Sequence, residues 1–457
     1  MKYSRFCKKI SLALICTGLL LSSCDKSPKM TFPHEDIIFD ASGIDTMTIQ
    51  ISGNGSWTAS VNQKGGWLTV KPKQGNGGET IKLIADENEE FSDRITYVTI
   101  SGDGMKTDSI KVIQTATIDV AEKITDEEFR KYCLYLFDES QDGMISVREA
   151  KSVNDKIVID EKGNEKSISR TKMIFKDYQA FEKQIVSLVG IEYFTKIREL
   201  NCENHQIEEI DVSKNKELRF LNCSYNQKID KIEVGELARL SSLKVYNTNI
   251  KNVDVSKNEA LSELWISNNS ITSINVSNNK ELYLLQCNNN LLTNLDVSKN
   301  TKLANLYCSN NKLTKLDVGS NTNLVTLYCN ENLLASLDVS NNKILQILWC
   351  ASQFRGEVNE EEKGIASLQL ANNTNLTQLR CDNNILSSLE ISHNTRLEHL
   401  YCSSNKLRNT LDISNNKELR YIDLQTNVEL TTIQVWKGFD KLNENYKKDS
   451  HANWVEK

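Results

Sequence analysis

The 457-residue sequence predicts a multidomain, mainly β chain, built as an all-β sandwich, a short helical segment and a long C-terminal β-solenoid. Three observations predict it. Short apolar strands alternate with glycine-rich turns over residues 32–117, a helical period follows, and from Ile197 one unit recurs eleven times. The changes of period divide the chain into 1–24 (leader), 25–31 (polar tether), 32–117 (sandwich), 118–191 (helical segment), 192–433 (solenoid of eleven coils) and 434–457 (closing cap). The net charge is −6 with Lys and Arg dispersed. This gives no electrostatic footprint for DNA or RNA, and no nucleic-acid partner is expected.

The leader carries Lys2, Arg5, Lys8 and Lys9 before an apolar run from Ile10 to Leu21, the order of a secretory signal. Leu21-Ser22-Ser23-Cys24 resembles a bacterial lipobox. The resemblance implies cleavage before Cys24, acylation of its thiol and new amino group, and a membrane anchor, because two or more acyl chains hold where one is marginal. The alternative is a plain leader with a chance cysteine. The expected location is the bacterial cell envelope, lipid-anchored, on the outer-membrane surface in preference to the periplasm.

In the sandwich, runs such as Thr46-Met47-Thr48-Ile49-Gln50-Ile51 and Ile95-Thr96-Tyr97-Val98-Thr99-Ile100 are broken at Gly53-Asn54-Gly55, Gly65-Gly66 and Gly75-Asn76-Gly77-Gly78. Ser56-Trp57-Thr58-Ala59, Gly66-Trp67-Leu68 and the closing Val112-Ile113-Gln114 resemble the BACON domain, an immunoglobulin-like module of Bacteroidetes envelope proteins. The resemblance implies carbohydrate binding, and a spacer role is equally open. Trp57 and Trp67 are expected in the core, where aromatics dominate, with a ligand platform as the alternative.

The helical segment opens at Thr125-Asp126-Glu127-Glu128, where Thr125 is expected to cap and Glu128 to reach back. After a helix towards Phe137, residues Asp138 to Glu149 resemble an EF-hand loop. Asp138, Ser140, Asp142, Ser146 and Glu149 place oxygen donors at loop positions 1, 3, 5, 9 and 12, Gly143 supplies the sharp turn, and Met144 offers its carbonyl. The resemblance implies Ca2+ as cofactor. Such hands usually pair and no second loop is present, so the site is expected to stiffen a junction and not to sense.

The repeated unit reads L-x-x-L-x-C-x-x-N-x-L-x-x-L-D-V-S-x-N-x-x, with copies starting at Ile197, Leu218, Leu240, Leu261, Leu282, Leu303, Leu324, Leu345, Leu376, Leu397 and Leu419. Every step is 21 or 22 residues except the 31 from Leu345 to Leu376. The unit resembles the 21-residue bacterial leucine-rich repeat. Its fourth and sixth places (Leu306, Cys308) are expected to point inward from one strand and its fourteenth and sixteenth (Leu316, Val318) from a second, so that coils bury their apolar edges only against each other. Asparagines at the ninth place (Asn290, Asn311) and nineteenth place (Asn300, Asn321) are expected to bond backbone groups of neighbouring coils. Eight of the 12 cysteines occupy the sixth place, where Val245, Ile266 and Leu424 substitute for them. Exchange with plain hydrophobes and the lack of any C-x-x-C pair indicate packing, not disulfides or zinc.

The fifth place lies between inward ones and points out. It carries Trp265, Tyr307, Tyr328, Trp349, Arg380 and Tyr401. Strands about 4.8 Å apart would make Tyr307, Tyr328 and Trp349 a continuous aromatic strip, flanked by Trp265 and Tyr401, for ligand binding, or a mere reinforcement of the ladder. The extra residues 351–364, with Phe354, Arg355 and Glu360-Glu361-Glu362, form either a wall of that site or an acidic bulge. At the opposite edge, Asp211, Asp254, Asp296, Asp317, Asp338 and Asp412 stack at the fifteenth place and must repel unless turn amides or cations hold them. Trp436, Phe439, Leu442, Tyr446 and Trp454 are expected to form the cap. No H-E-x-x-H, phosphate-cradling glycine loop or G-x-S-x-G elbow is present, so an enzyme is not expected. The expected function is non-catalytic binding of an extracellular or host protein by an envelope lipoprotein, with glycan capture as the alternative.

Overall fold

The computed structural model describes residues 31–41, 46–62, 66–102, 106–159, 164–353 and 364–457. They form two compact units that divide between Thr117 and Ile118.

The first unit is a sandwich of two sheets. Strands β1 (Ile37–Phe39), β3 (Ser56–Val61), β5 (Gln74–Asn76), β7 (Arg94–Gly102) and β8 (Asp108–Gln114) form one, in the order β1-β8-β7-β3-β5. Strands β2 (Thr46–Gln50), β4 (Leu68–Lys71) and β6 (Thr80–Ala85) form the other, in the order β2-β6-β4. Alternation decides which residues meet between them: Ile81 and Leu83 of β6 face Val98 and Ile100 of β7 in one buried cluster. Trp57 is part of that core, 1% exposed, with its indole Nε1 donating to the Asn76 carbonyl at 2.8 Å. Gly75 makes room for it, because a Cβ there would lie 2.4 Å from the indole ring. Trp67 packs at the core margin under the Arg94 guanidinium, 5.3 Å from its ring centroid.

In the second unit a single core runs from Val120 to Ala452. The expected boundary at residues 191 and 192 is therefore not a division in space. Helix α1 (Glu127–Phe137), helix α2 (Val147–Ala150) and the strand Lys172–Ile174 close the open end of the first coil, which would otherwise leave apolar edges in water, while the hairpin Lys156–Ile159 and Glu165–Ile168 leaves Ile157 and Ile159 exposed. Lys172–Ile174 pairs in parallel register with Glu199–Asn201. The cap of α1 also differs from expectation. Its N-cap is Asp126, not Thr125: one carboxylate oxygen accepts from the Phe129 amide at 2.9 Å and the other from the Val186 amide at 2.8 Å. Asp126 thus serves the helix and the following loop together, and Glu128 turns instead to the Glu182 amide. Buried Arg170 donates to the Leu136 carbonyl at the other end of α1.

Each of the eleven coils contributes one three-residue strand, from Glu199–Asn201 to Tyr421–Asp423. With Lys172–Ile174 before them and Tyr446–Lys447 after, they make a parallel sheet of 13 strands. Among the described residues, the second strand expected at places fourteen to sixteen forms a ladder only at the C-terminal end, among Arg408–Asp412, Glu429–Val435 and Asn453–Glu456. Elsewhere local turns occupy the amides of that edge: Gly319 N–H donates to the Asp317 carboxylate, Asn321 N–H to the Val318 carbonyl and Leu324 N–H to the Asn321 carbonyl. Leu316 and Val318 are buried there nonetheless.

The asparagine columns join the coils. The Asn311 side-chain amide donates to the Cys287 carbonyl of the preceding coil at 3.0 Å and to the Cys308 and Ser309 carbonyls of its own, while its oxygen accepts from Leu292 N–H at 3.0 Å. Asn321 reaches back to the Val297 and Asn300 carbonyls. The oxygens of this nineteenth-place column, Asn321 included, find no partner among the described residues. The eighth place, which the sequence reading passed over, has positive φ in every coil, as at Asn310 (55°), and asparagine is the commonest residue there because its short side chain tolerates that conformation. The sixth-place cysteines are free and buried, and burial pushes the Cys223 and Cys287 thiols up to about 12, which leaves them inert.

The acidic column also acquires an account. Asp211, Asp254, Asp296, Asp338 and Asp412 each accept from the amide two residues on, at 2.9 Å. Hydrogen bonds from Ser256 hold the Asp254 carboxyl below its ordinary 3.8. Asn275 makes the same bond without charge, so the place requires an acceptor and not an anion. In the closing segment Trp436, Phe439, Tyr446 and Trp454 pack together as expected, whereas Leu442 is 91% exposed and is no part of the cap.

Asn311→Ala leaves Leu292 N–H unpaired in a dry interior, while the Cys287 carbonyl keeps the Asn290 amide, so urea unfolding should show a loss of about 1–3 kcal/mol. A loss below about 1 kcal/mol would show that the column does not hold the coils together. Because the folded Asp254 carboxyl is lowered, its contribution is complete above its unfolded value and is lost as pH falls through the folded one. Asp254→Asn should therefore lower the urea midpoint slightly at pH 7, converge with the parent at acid pH and so flatten the acid limb of the stability curve. A large loss at pH 7 would mean that the charge itself is needed.

Candidate functional site

The parallel register decides which outward side chains meet. Tyr307, Tyr328, Trp349, Arg380 and Tyr401 are direct partners on five successive strands. The Tyr307 and Tyr328 rings meet edge to face at 5.0 Å, and Tyr328 and Trp349 lie parallel with centroids 4.2 Å apart. The Arg380 guanidinium stands 5.6 Å from the Trp349 centroid and 5.9 Å from that of Tyr401, and its Nε donates to the Asp382 carboxylate at 3.0 Å, which fixes its place. Tyr401 then meets Tyr421 at 4.6 Å. The result is one ribbon of rings broken by a single cation. Burial against its neighbours raises the Tyr328 hydroxyl above its ordinary value, so it is neutral at physiological pH.

Trp265 stands apart from this ribbon, because Gln286 separates it from Tyr307 in the register. It belongs to a second cluster instead. Tyr246 lies 6.2 Å from it, Tyr225 lies 5.2 Å from Tyr246, and the Lys244 ammonium sits 4.3 Å from the Trp265 ring. Tyr225, Tyr246 and Tyr421 were missed in the sequence. The first two occupy places eight and seven, which the repeat assigns to a turn, and Tyr421 occupies the third place, which shares a face with the fifth. Aromatics in columns otherwise small or polar were the available signal. Phe354, Arg355 and Glu360 to Glu362 lie outside the described residues, as does Cys24.

The calcium-type loop is held by its own carboxylates. The Asp138 carboxylate accepts from the Gln141 and Gly143 amides, that of Asp142 from the Met144 amide, and that of Glu149 from the Glu139 and Ser140 amides. The other Glu149 oxygen takes the Ser146 amide and hydroxyl, so Ser146 and Glu149 form a capping box on α2. Burial raises the Glu149 carboxyl, the bonds from Ser146, Ser140 and Glu139 lower it, and the net shift is downward. Gln141 and Gly143 turn the loop with φ of 59° and 82°. Where a partner hand is expected, the chain supplies its own: Ile145 N–H donates to the Asp119 carboxylate and its carbonyl accepts from Val120 N–H. No cluster of three or more His, Cys, Asp or Glu side chains poised for a metal occurs among the described residues.

Comparison with known proteins places both units. Residues 55–115 match the BACON model, described as "Putative binding domain, N-terminal". The functional domain of InlJ from Listeria monocytogenes, which includes a cysteine ladder, is similar at 25% identity over 73% of this chain and 80% of that one, with a TM-score of 0.51. The internalin InlF from Listeria monocytogenes is similar in fold at 19% identity over 74% of this chain and 98% of that one, with a TM-score of 0.56. No curated protein matched significantly. The array is a leucine-rich-repeat solenoid, and the first unit carries the match to a model described as a binding domain.

Proposed function

We propose that the protein is a non-catalytic lipoprotein of the bacterial cell envelope, anchored through Cys24, that binds an extracellular or host protein through the ribbon from Tyr307 to Tyr421. The observation that carries this reading is the ribbon's continuity across successive coils. Aromatic rings and arginine are the side chains on which protein-binding energy concentrates, and here neighbours hold them in place, so little rotamer freedom is lost on contact. A glycan on the same ribbon has less support. Sugar stacking needs open ring faces, and Tyr328 and Trp349 cover one another while Arg380 stands over the far side of Trp349.

Calcium belongs to the same reading. Asp138, Ser140, Asp142, the Met144 carbonyl, Ser146 and Glu149 would hold it, an all-oxygen set suited to a hard cation. When bound, the ion supplies the positive charge that lets three carboxylates converge. Asp138 and Glu149 would then exchange amide contacts for the ion and tighten the segment that closes the first coil.

The intact protein, with calcium, is applied to paired extracellular-protein and glycan arrays beside the Tyr307→Ala/Tyr328→Ala/Trp349→Ala variant. The expected result is protein binding weakened at least about 30-fold in the variant, the loss of one hot spot or more. Protein binding indifferent to the variant would sink the ribbon assignment. Calcium at 100 times its Kd should stabilise the protein by about 2.7 kcal/mol and raise Tm, and Asp138→Asn should remove the rise. A Tm that ignores calcium would remove the ion from this reading.

A further inference from the structure

We propose that a hollow at the N-terminal end of the array, separate from the ribbon, binds a neutral pyranose sugar between the rings of Tyr178, Phe181 and Tyr225 and the polar pair Glu203 and Lys176. The hollow measures about 600 Å³, within the range of small-ligand sites. Phe175, Tyr178, Phe181 and His205 form one packed set, and Tyr225, which packs on Tyr246, lines the hollow beside them. Phe181 lies 4.7 Å from Tyr178 and 5.5 Å from His205, above the fully buried Phe175. Such walls suit the C–H faces of a sugar ring.

The lip supplies the complementary polarity. One Glu203 oxygen is fixed by the Asn222 amide at 2.7 Å, and the other stands 3.9 Å from the Lys176 ammonium. That gap exceeds a direct hydrogen bond, so an acceptor and a donor with unused capacity can bracket one hydroxyl. Their charges balance, which favours an uncharged ligand. His205 replaces the ninth-place asparagine in the first coil. Its Nδ1 accepts from Ile185 N–H at 3.2 Å and burial lowers its affinity for a proton, so this wall is also neutral.

Tyr225 is the second, independent observation. It occupies the eighth place with φ of 58°, a conformation unfavourable for a bulky residue, and its side chain stands 48% exposed beside the hollow. Asparagine fills that place in six of the other ten coils: Asn204, Asn247, Asn268, Asn289, Asn310 and Asn383. An exposed aromatic retained in a strained backbone fits a contact to something outside the chain.

The test is saturation-transfer NMR on the intact protein with four probes: methyl glucoside, methyl galactoside, methyl mannoside and N-acetylglucosamine. At least one should bind. Tyr225→Asn restores the residue that the column prefers, so Tm should hold or rise while affinity falls at least about tenfold. Glu203→Gln should weaken binding about fivefold by removing the charged acceptor. Tyr328→Ala should leave sugar binding intact while it impairs protein binding, which separates this site from the ribbon. Saturation transfer to none of the four sugars, or transfer that survives Tyr225→Asn, overturns the assignment.

Discussion

Each coil must turn inward, and at every inward turn backbone groups enter a dry interior where an unmade hydrogen bond is costly. The ninth-place side-chain amide meets that demand. Asn311 bonds to the preceding coil with both its nitrogen and its oxygen, so stacking and turn formation become the same event. Gln353 does the same with a longer side chain at the start of the 31-residue step, binding the Cys329 carbonyl at 2.7 Å and accepting from Leu334. The sheet, the packed thiols and the outward columns all presuppose this contact.

With the coils locked in parallel register, a residue type repeated at one place becomes a continuous column. The consequences depend on the face. Inward columns of leucine and cysteine make a core that extends without limit of size. The outward fifth place turns scattered aromatics into stacked pairs with Arg380 between two of them. The fifteenth place brings carboxylates close together, and each is held by an amide of its own turn, so the repulsion is tolerated.

A solenoid has two ends, and each is a defect to be covered. At the start, the segment with the calcium-type loop lends Lys172–Ile174 to the sheet and Phe137, Phe175 and Phe194 to the core. Calcium in that loop would then act on the first coil directly, and the aromatic hollow beside it is made from the same covering segment and the first two coils. At the far end Phe439 stacks on Tyr446 at 4.8 Å under Trp454, and Asn453–Glu456 extends the second edge.

By itself the sequence determined the solenoid, its eleven coils, the inward places and the outward aromatic column, because a fixed period imposes one environment on each place. It also determined a sandwich and a loop with calcium-type donors, since alternation and donor spacing are local properties. What only the tertiary structure decided depends on contacts between distant residues. The local pattern points to Thr125 as the cap, and Asp126 takes the place because it serves Phe129 and the distant Val186 amide together. Trp265 flanks the strip by place, and packing gives it Tyr246 and Lys244 as neighbours. Leu442 looked like cap material and lies in water, while Tyr225 looked like a turn residue and lines a hollow. Local pattern fixes which way a side chain points, and packing alone decides what it meets.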